Sequence, residues 1–104
     1  MIISTIEKIP EREILEILGI ARGSTVRAKN IGKDIFAGFK NIIGGEIQEY
    51  TKLQADSREE AIKRMIDDAE SLGADAIVSV RLTTSMVMQG AAEILAYGTA
   101  VKLH

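Results

Sequence analysis

The chain has no cysteine and no tryptophan, one proline and one histidine. Without cysteine there can be no disulfide, no thiolate nucleophile and no zinc knuckle. The aromatic residues are Phe36, Phe39, Tyr50 and Tyr97, too few for a platform on which bases would stack. The core must therefore be aliphatic. The one histidine, His104, is the last residue of the sequence, where nothing fixes it as a general base. No apolar run approaches the roughly 18 residues that a membrane span requires. The opening "MIISTIEKIP" lacks the basic start and apolar stretch of a secretory leader. Neither sign of charge dominates: 13 basic and 15 acidic side chains leave a net charge of −2, so attraction to nucleic acid or anionic lipid is not expected. These absences leave a soluble, cytoplasmic globular protein as the expectation.

What is present is 104 residues, the length of one domain spanning 1–104. A domain this small buries only about two-thirds of its unfolded surface. "MIISTI" alternates weakly and predicts a short strand. In "PEREILEILG", Pro10 and the acidic pair Glu11 and Glu13 suit a first helical turn, Ile14, Leu15 and Leu18 share a face, and Gly19 suits a stop. A short helix is therefore expected there, followed by a strand over "IARGSTVRA". Asn30 is a plausible cap for a second short helix over "IGKDIFAGFKNII", where Ile31, Ile35, Phe39 and Ile42 recur at helical spacing.

The clearest pattern lies in "EIQEYTKLQADSREEAIKRMIDDAESLG". At about 100° per residue, Ile47, Tyr50, Gln54, Arg58, Ala61, Ile62, Met65, Ala69 and Leu72 fall in one sector. The charged side chains fall opposite. The phase holds from 46 to 72, which predicts one helix of about seven turns closed by Gly73. Ser57 and Glu60 match a capping box that would start a second helix at 57, but the unbroken phase favours a single helix.

Two strands complete the chain. In "ADAIVSVRLTTSMVM" the even positions Ala76, Val78, Val80, Leu82, Met86 and Met88 form an apolar row. Gln89-Gly90 makes a turn. "EILAYGTAVKLH" follows with Leu95, Tyr97, Thr99, Val101 and Leu103 on one face and the small residues Ala96, Gly98 and Ala100 on the other. An antiparallel hairpin is expected. One helix can cover only one face of so narrow a sheet, and the leftover apolar surface points to self-association.

Candidate chemistry is sparse. "RAKNIGKD" imitates a phosphate-binding loop around Gly32-Lys33, but Arg27 stands where the first glycine belongs and Asp34 replaces the hydroxyl. Gly44-Gly45 reads as a joint between two helices, with Glu46 at the positive end of the second. Asp34, Glu46 and Glu93 could offer oxygen ligands to a hard cation, though without loop spacing. Gln54 and Arg58 interrupt the apolar stripe, and Arg81 sits on a strand among small residues. Each buried charge would need a partner or a route to water, as in a polar seam between subunits.

The chain resembles the YbjQ-like family, a group of small prokaryotic proteins labelled heavy-metal-binding. The resemblance is carried by "IIST", by "LGIARGSTVRAKNIGKDIFAGFKNIIGG", by Gly44-Gly45 followed by Glu46 and Tyr50, by "LGADAIVSV" and by "AYGTAVKL". It implies an α+β, two-layer, dodecin-like β-α-β-β subunit: one long helix on a small antiparallel sheet, with a short N-terminal strand and helix. It also implies assembly into a ring, usually a pentamer. Heavy-metal sites favour thiolate and imidazole, which the composition does not supply.

The expected function is that of a non-enzymatic homo-oligomer binding a small ligand or a partner at subunit junctions, with no cofactor. Asp34, Gly44, Gly45, Glu46, Tyr50, Arg58 and Arg81 are the candidate residues. Metal binding through carboxylates is the alternative.

Overall fold

The longest strand of the protein runs through the segment that reads as helix, turn and strand in the sequence. The computed structural model describes residues 1–28, 42–43 and 46–104, and side-chain surroundings for 1–27 and 52–104. In chain order the elements are β1 (Ile2–Ile3), β2 (Ile14–Ala28), β3 (Ile42–Ile43), β4 (Glu46–Ile47), α1 (Gln48–Ser71), β5 (Ala76–Met88) and β6 (Ala91–Leu103). The main sheet has the order β1-β5-β6-β2, with β1 parallel to β5 and the other pairs antiparallel.

The helix expected from Pro10 is therefore absent. Glu11 takes a positive φ of 65° and Ile9 bridges to Arg12, so Pro10 lies in a turn. Ile14, Ile17 and Ile20 instead pair with Leu103, Val101 and Thr99 of β6. Three β-branched residues facing a partner strand outweigh a three-residue helical coincidence. Gly19 sits at a register shift in this ladder rather than at a helix end. The short helix expected over 31–43 falls mostly outside the described residues, but Ile42 and Ile43 are extended and pair with Ile47 and Glu46. The long helix accordingly starts at Gln48, not at Glu46.

From Gln48 to Ser71, α1 is unbroken through Ser57, as its phase requires. Its C-terminus is a Schellman cap: Gly73, at φ +80°, donates to the Glu70 carbonyl at 3.0 Å, and Ala74 donates to Ala69 at 3.1 Å. Glu60 and Arg64 form an i,i+4 pair at 3.3 Å. The buried stripe of α1 is Ala61, Met65 and Ala69, packed on Ala21, Ile77, Ala96 and Ala100. The small residues set a short distance between layers. At Gly23 the approach is closest: a Cβ there would overlap backbone atoms of Ala61, Arg64 and Met65. The helix also protects the edge of β2, since Asp68 accepts the Arg22 N–H at 3.0 Å and Arg64 donates to the Ser24 carbonyl at 2.7 Å.

The β5–β6 hairpin forms as expected, but the even apolar row of β5 does not hold. Val78 pairs with Thr99 and Arg81 with Tyr97, so β5 carries one extra residue at Ser79–Val80. Ser79 has a φ of +54°. The bulge reverses the alternation. Ala76 and Val78 join Ile9, Val101 and Leu103 in a second core away from the helix, whereas Ile77 and Val80 face it. The N-terminal segment covers this second core. Its backbone pairs along β5, with Ser4 donating to Ile77 and the Ser79 amide donating to Ile6, each at 2.9 Å. Asp75 ties the far end together by accepting the Leu103 N–H at 3.0 Å, with the Lys102 ammonium 3.7 Å away. That amide bond, joined by the charges of Lys102 and Arg12 and opposed by partial desolvation, holds the Asp75 carboxyl below its ordinary value.

Candidate ligand-binding site

α1 lies mainly over β2 and β6 and leaves much of the helix side of β5 uncovered. Along β2, Ala21, Gly23, Thr25 and Arg27 alternate onto the helix side, opposite Gly98, Ala96, Ile94 and Ala92 of β6. Under the last turns of helix the fit is tight. Under its N-terminal half the sheet presents Gly90, Ala91 and Ala92, too small to fill the space. A cavity of about 290 Å³ results, walled by Leu53, Gln54 and Ser57 of α1, Arg27 of β2, and Met86, Ile94 and the small residues of the hairpin.

Ser57 gives this cavity its chemistry. Its carbonyl accepts a hydrogen bond from Thr25 Oγ1 at 3.1 Å, a contact buried between helix and sheet. Ser57 lines the cavity, but its Oγ is shielded from it, with the residue only 3% exposed, and has no hydrogen-bond partner among the described residues. A buried hydroxyl without a partner costs roughly 1–3 kcal/mol. Arg27 supplies a cation to the same space, and no acidic side chain is among the described lining residues. The walls are otherwise largely apolar. Such a site can hold an amphipathic small molecule and orient its polar end. It has no nucleophile–base pair: Ser57 lacks a base within reach among the described residues.

Of the candidate site residues from the sequence, only Arg58 and Arg81 have described side chains, and neither lines this cavity. Asp34, Gly44 and Gly45 lie outside the described residues. Glu46 lies in β4 and Tyr50 in the first turn of α1, with side chains outside the described set. The joint assigned to Gly44-Gly45 is flanked by the paired strands β3 and β4 rather than by two helices. Arg58 is not buried on the stripe; its side chain is 50% exposed, with Glu59 at 4.0 Å. Gln54 is also exposed, at the cavity wall. Arg81 works at the other end of the molecule, where its Nη1 donates to Thr5 O at 2.7 Å and Val80 O at 2.9 Å. It anchors the N-terminal segment. Glu93 lies on β6 opposite Val26 and Ser85, on the face away from α1. The cavity residues Arg27, Ser57 and Met86 were passed over. A hydroxyl beside the apolar stripe, at the place where a capping box has no helix start to cap, was the available signal.

With this geometry in view, similarity to known proteins is informative. A family model described as "putative heavy-metal-binding" matches residues 1–104. A UPF0145 protein of Archaeoglobus fulgidus is 63% identical over 104 residues, covering 100% of this chain and 96% of the relative. One from Methanosarcina acetivorans is 59% identical, covering 99% and 97%. A Vibrio campbellii UPF0145 protein is 55% identical, covering 99% of each. Among solved structures, a protein of unknown function from Pediococcus pentosaceus, of the DUF74 family, superposes with a TM-score of 0.71 at 16% identity, covering 100% of this chain and 98% of that one. That likeness shows the fold.

The described residues do not fit a heavy-metal centre. There is no cysteine. Among the described residues no three His, Cys, Asp or Glu side chains are grouped to hold an ion. The thioether of Met65 is locked in the core, while Met86 and Met88 are exposed. Among the described residues no helix is long and apolar enough to cross a membrane.

Proposed function

This chain belongs to the YbjQ-like family, UPF0145, and from that footing we propose that it is a non-enzymatic, cytoplasmic homo-oligomer that binds a small ligand beside its subunit contacts. The observation that carries the reading is the apolar surface left bare on two long strands. Leu15, Ile17, Ile20 and Val26 are exposed on β2, and Leu82, Met86, Val87 and Met88 on β5; Ile17 reaches 70% and Met86 78%. Exposure of this many large apolar side chains on two strands points to association. The proportions agree. The radius of gyration is 17.0 Å and the extents are 53 × 25 × 16 Å, against about 13 Å for a compact domain of this length. A thin plate with greasy margins gains by packing against copies of itself. Two different strands on one protomer provide the unlike surfaces that a head-to-tail ring requires. The family resemblance makes a pentamer the expected count. The cavity opens next to Met86 and hence beside the bare stretch of β5, which brings the ligand site close to a subunit contact.

The test is light scattering on a size-exclusion column at micromolar protein. The expected mass is a small multiple of the 11.3 kDa protomer, five being the expected multiple, and Ile20→Asp is expected to reduce it. A monomeric wild-type protein overturns the reading.

A further inference from the structure

We propose that the cavity under the N-terminal half of α1 takes a medium-chain monocarboxylate, with its head on Arg27 and Ser57 and its alkyl chain along Leu53, Met86 and Ile94. This rests on the small-ligand reading above and names the ligand class. Three observations converge on it. The first is size: about 290 Å³ holds about ten water-sized groups, which matches an eight-carbon acid and excludes a dinucleotide or a flavin. The second is polarity. The described walls are apolar apart from one guanidinium, one amide and one hydroxyl, so the fitting ligand has a long apolar part and a single polar end. The third is the orphan hydroxyl. Ser57 lines the cavity and its Oγ is shielded without a partner among the described residues; a carboxylate oxygen that shifts the wall to reach it is the acceptor it lacks.

The sign of the head group follows from Arg27. A guanidinium presents planar paired donors that match a carboxylate, and no carboxylate lines the described cavity to compete for them. Among the described residues, the charged groups nearby on the packed elements are Lys52, Asp56, Arg58 and Glu60 of α1 and Glu93 of β6, and Lys52 is exposed. Asp56 and Arg58 are exposed, Glu60 is paired with Arg64, and Glu93 lies on the far face of the sheet. A phosphate ester would need more than one cation or a run of backbone amides aimed at it. Met86, unbranched and mostly exposed, can fold over a flexible chain at the mouth.

The experiment is titration calorimetry of the full chain with sodium octanoate below its micellar range, beside 1-octanol as the uncharged twin and butyrate as the truncated one. Saturable binding at one octanoate per protomer is expected, at least tenfold tighter than octanol or butyrate. Arg27→Met should weaken octanoate at least tenfold and leave octanol unchanged. Ser57→Ala should weaken octanoate severalfold and raise the melting temperature of the ligand-free protein. Octanol binding as tightly as octanoate, an unchanged affinity in Arg27→Met, or no saturable heat with octanoate overturns the proposal. Mass measured on the same samples separates the two readings: an oligomer that ignores octanoate removes only the ligand class, whereas a monomer that binds it removes only the assembly.

Discussion

Replacing Gly23 by alanine adds one methyl group where the sheet and the helix come closest. The new Cβ would sit 2.6 Å from the Arg64 carbonyl carbon and nearer still to backbone atoms of Ala61 and Met65. Ordinary contact begins near 3.4 Å, so α1 must rise by at least about 0.8 Å, because its backbone cannot swing aside as a side chain can. A gap of that size forfeits a quarter to a half of the dispersion energy of each contact across it. Those contacts include Ala21, Ala61, Met65 and Ala69, which are fully buried. Overpacking typically costs about 1–3 kcal/mol, and a rigid obstacle puts this site at the top of that range. A loss of about 3 kcal/mol is a large share of the roughly 5–15 kcal/mol that holds a domain together. With a urea dependence of about 1.5 kcal/mol per molar, the midpoint should fall by about 2 M at fixed protomer concentration. Gly98→Ala is the comparator. Its Cβ would meet the Ile77 Cγ2 at 2.6 Å and the Val80 Cγ2 at 3.2 Å, along with the Val78 carbonyl at 3.0 Å. Two of these obstacles can rotate, so about 1–2 kcal/mol is expected. A Gly23→Ala midpoint within about 0.3 M of wild type, or a larger drop for Gly98→Ala, refutes the reasoning about layer spacing.

Two further outcomes follow from the ties at the N-terminal end. The Asp75 carboxyl is held below its ordinary value, first by the Leu103 amide and then by Lys102 and Arg12. Its contribution is complete above the unfolded value near 3.9 and fades as pH drops through the lower folded value. Asp75→Asn should therefore flatten the acid limb of stability measured by urea midpoints from pH 5 downwards, and superimposable profiles would count against this. Arg81→Met removes the donor to Thr5 O, and a loss of about 1 kcal/mol should speed hydrogen exchange at Ser79 and Val80 about fivefold. Exchange that is unchanged there would mean that the backbone pairing holds the segment without Arg81.

The long helix, its Gly73 cap and the terminal hairpin were legible because each rests on a pattern repeated over many residues. Twenty-four consecutive helical residues carry several turns of the same phase, and no local accident hides it. The stretch from Pro10 to Gly19 was misread because it is short and rich in isoleucine. Ile14, Leu15 and Leu18 satisfy both periods, and only the presence of β6 as a partner decides between them. The bulge at Ser79 was invisible because a single serine carries no mark of a left-handed backbone. It displaced the facing assignments beyond it as far as Met86, where a second register shift follows. The cavity was illegible for a related reason: it arises where α1 no longer covers small hairpin residues, and an empty volume belongs to the arrangement rather than to any one side chain. Arg58 and Arg81 drew notice as charges in apolar company, yet one reaches solvent and the other serves the N-terminal strand.

The extra residue at Ser79 behaves as a frameshift written in protein. Upstream of it the strand spells one alternation, and from Val80 to Met86 the opposite one. A strand that ran straight through this point with all its residues kept would turn Thr83 and Ser85 toward the helix and send Leu82 and Met86 to the far side, changing the outer half of the hairpin without altering any residue. One irregular backbone position thus decides which side chains the outer hairpin shows to the helix.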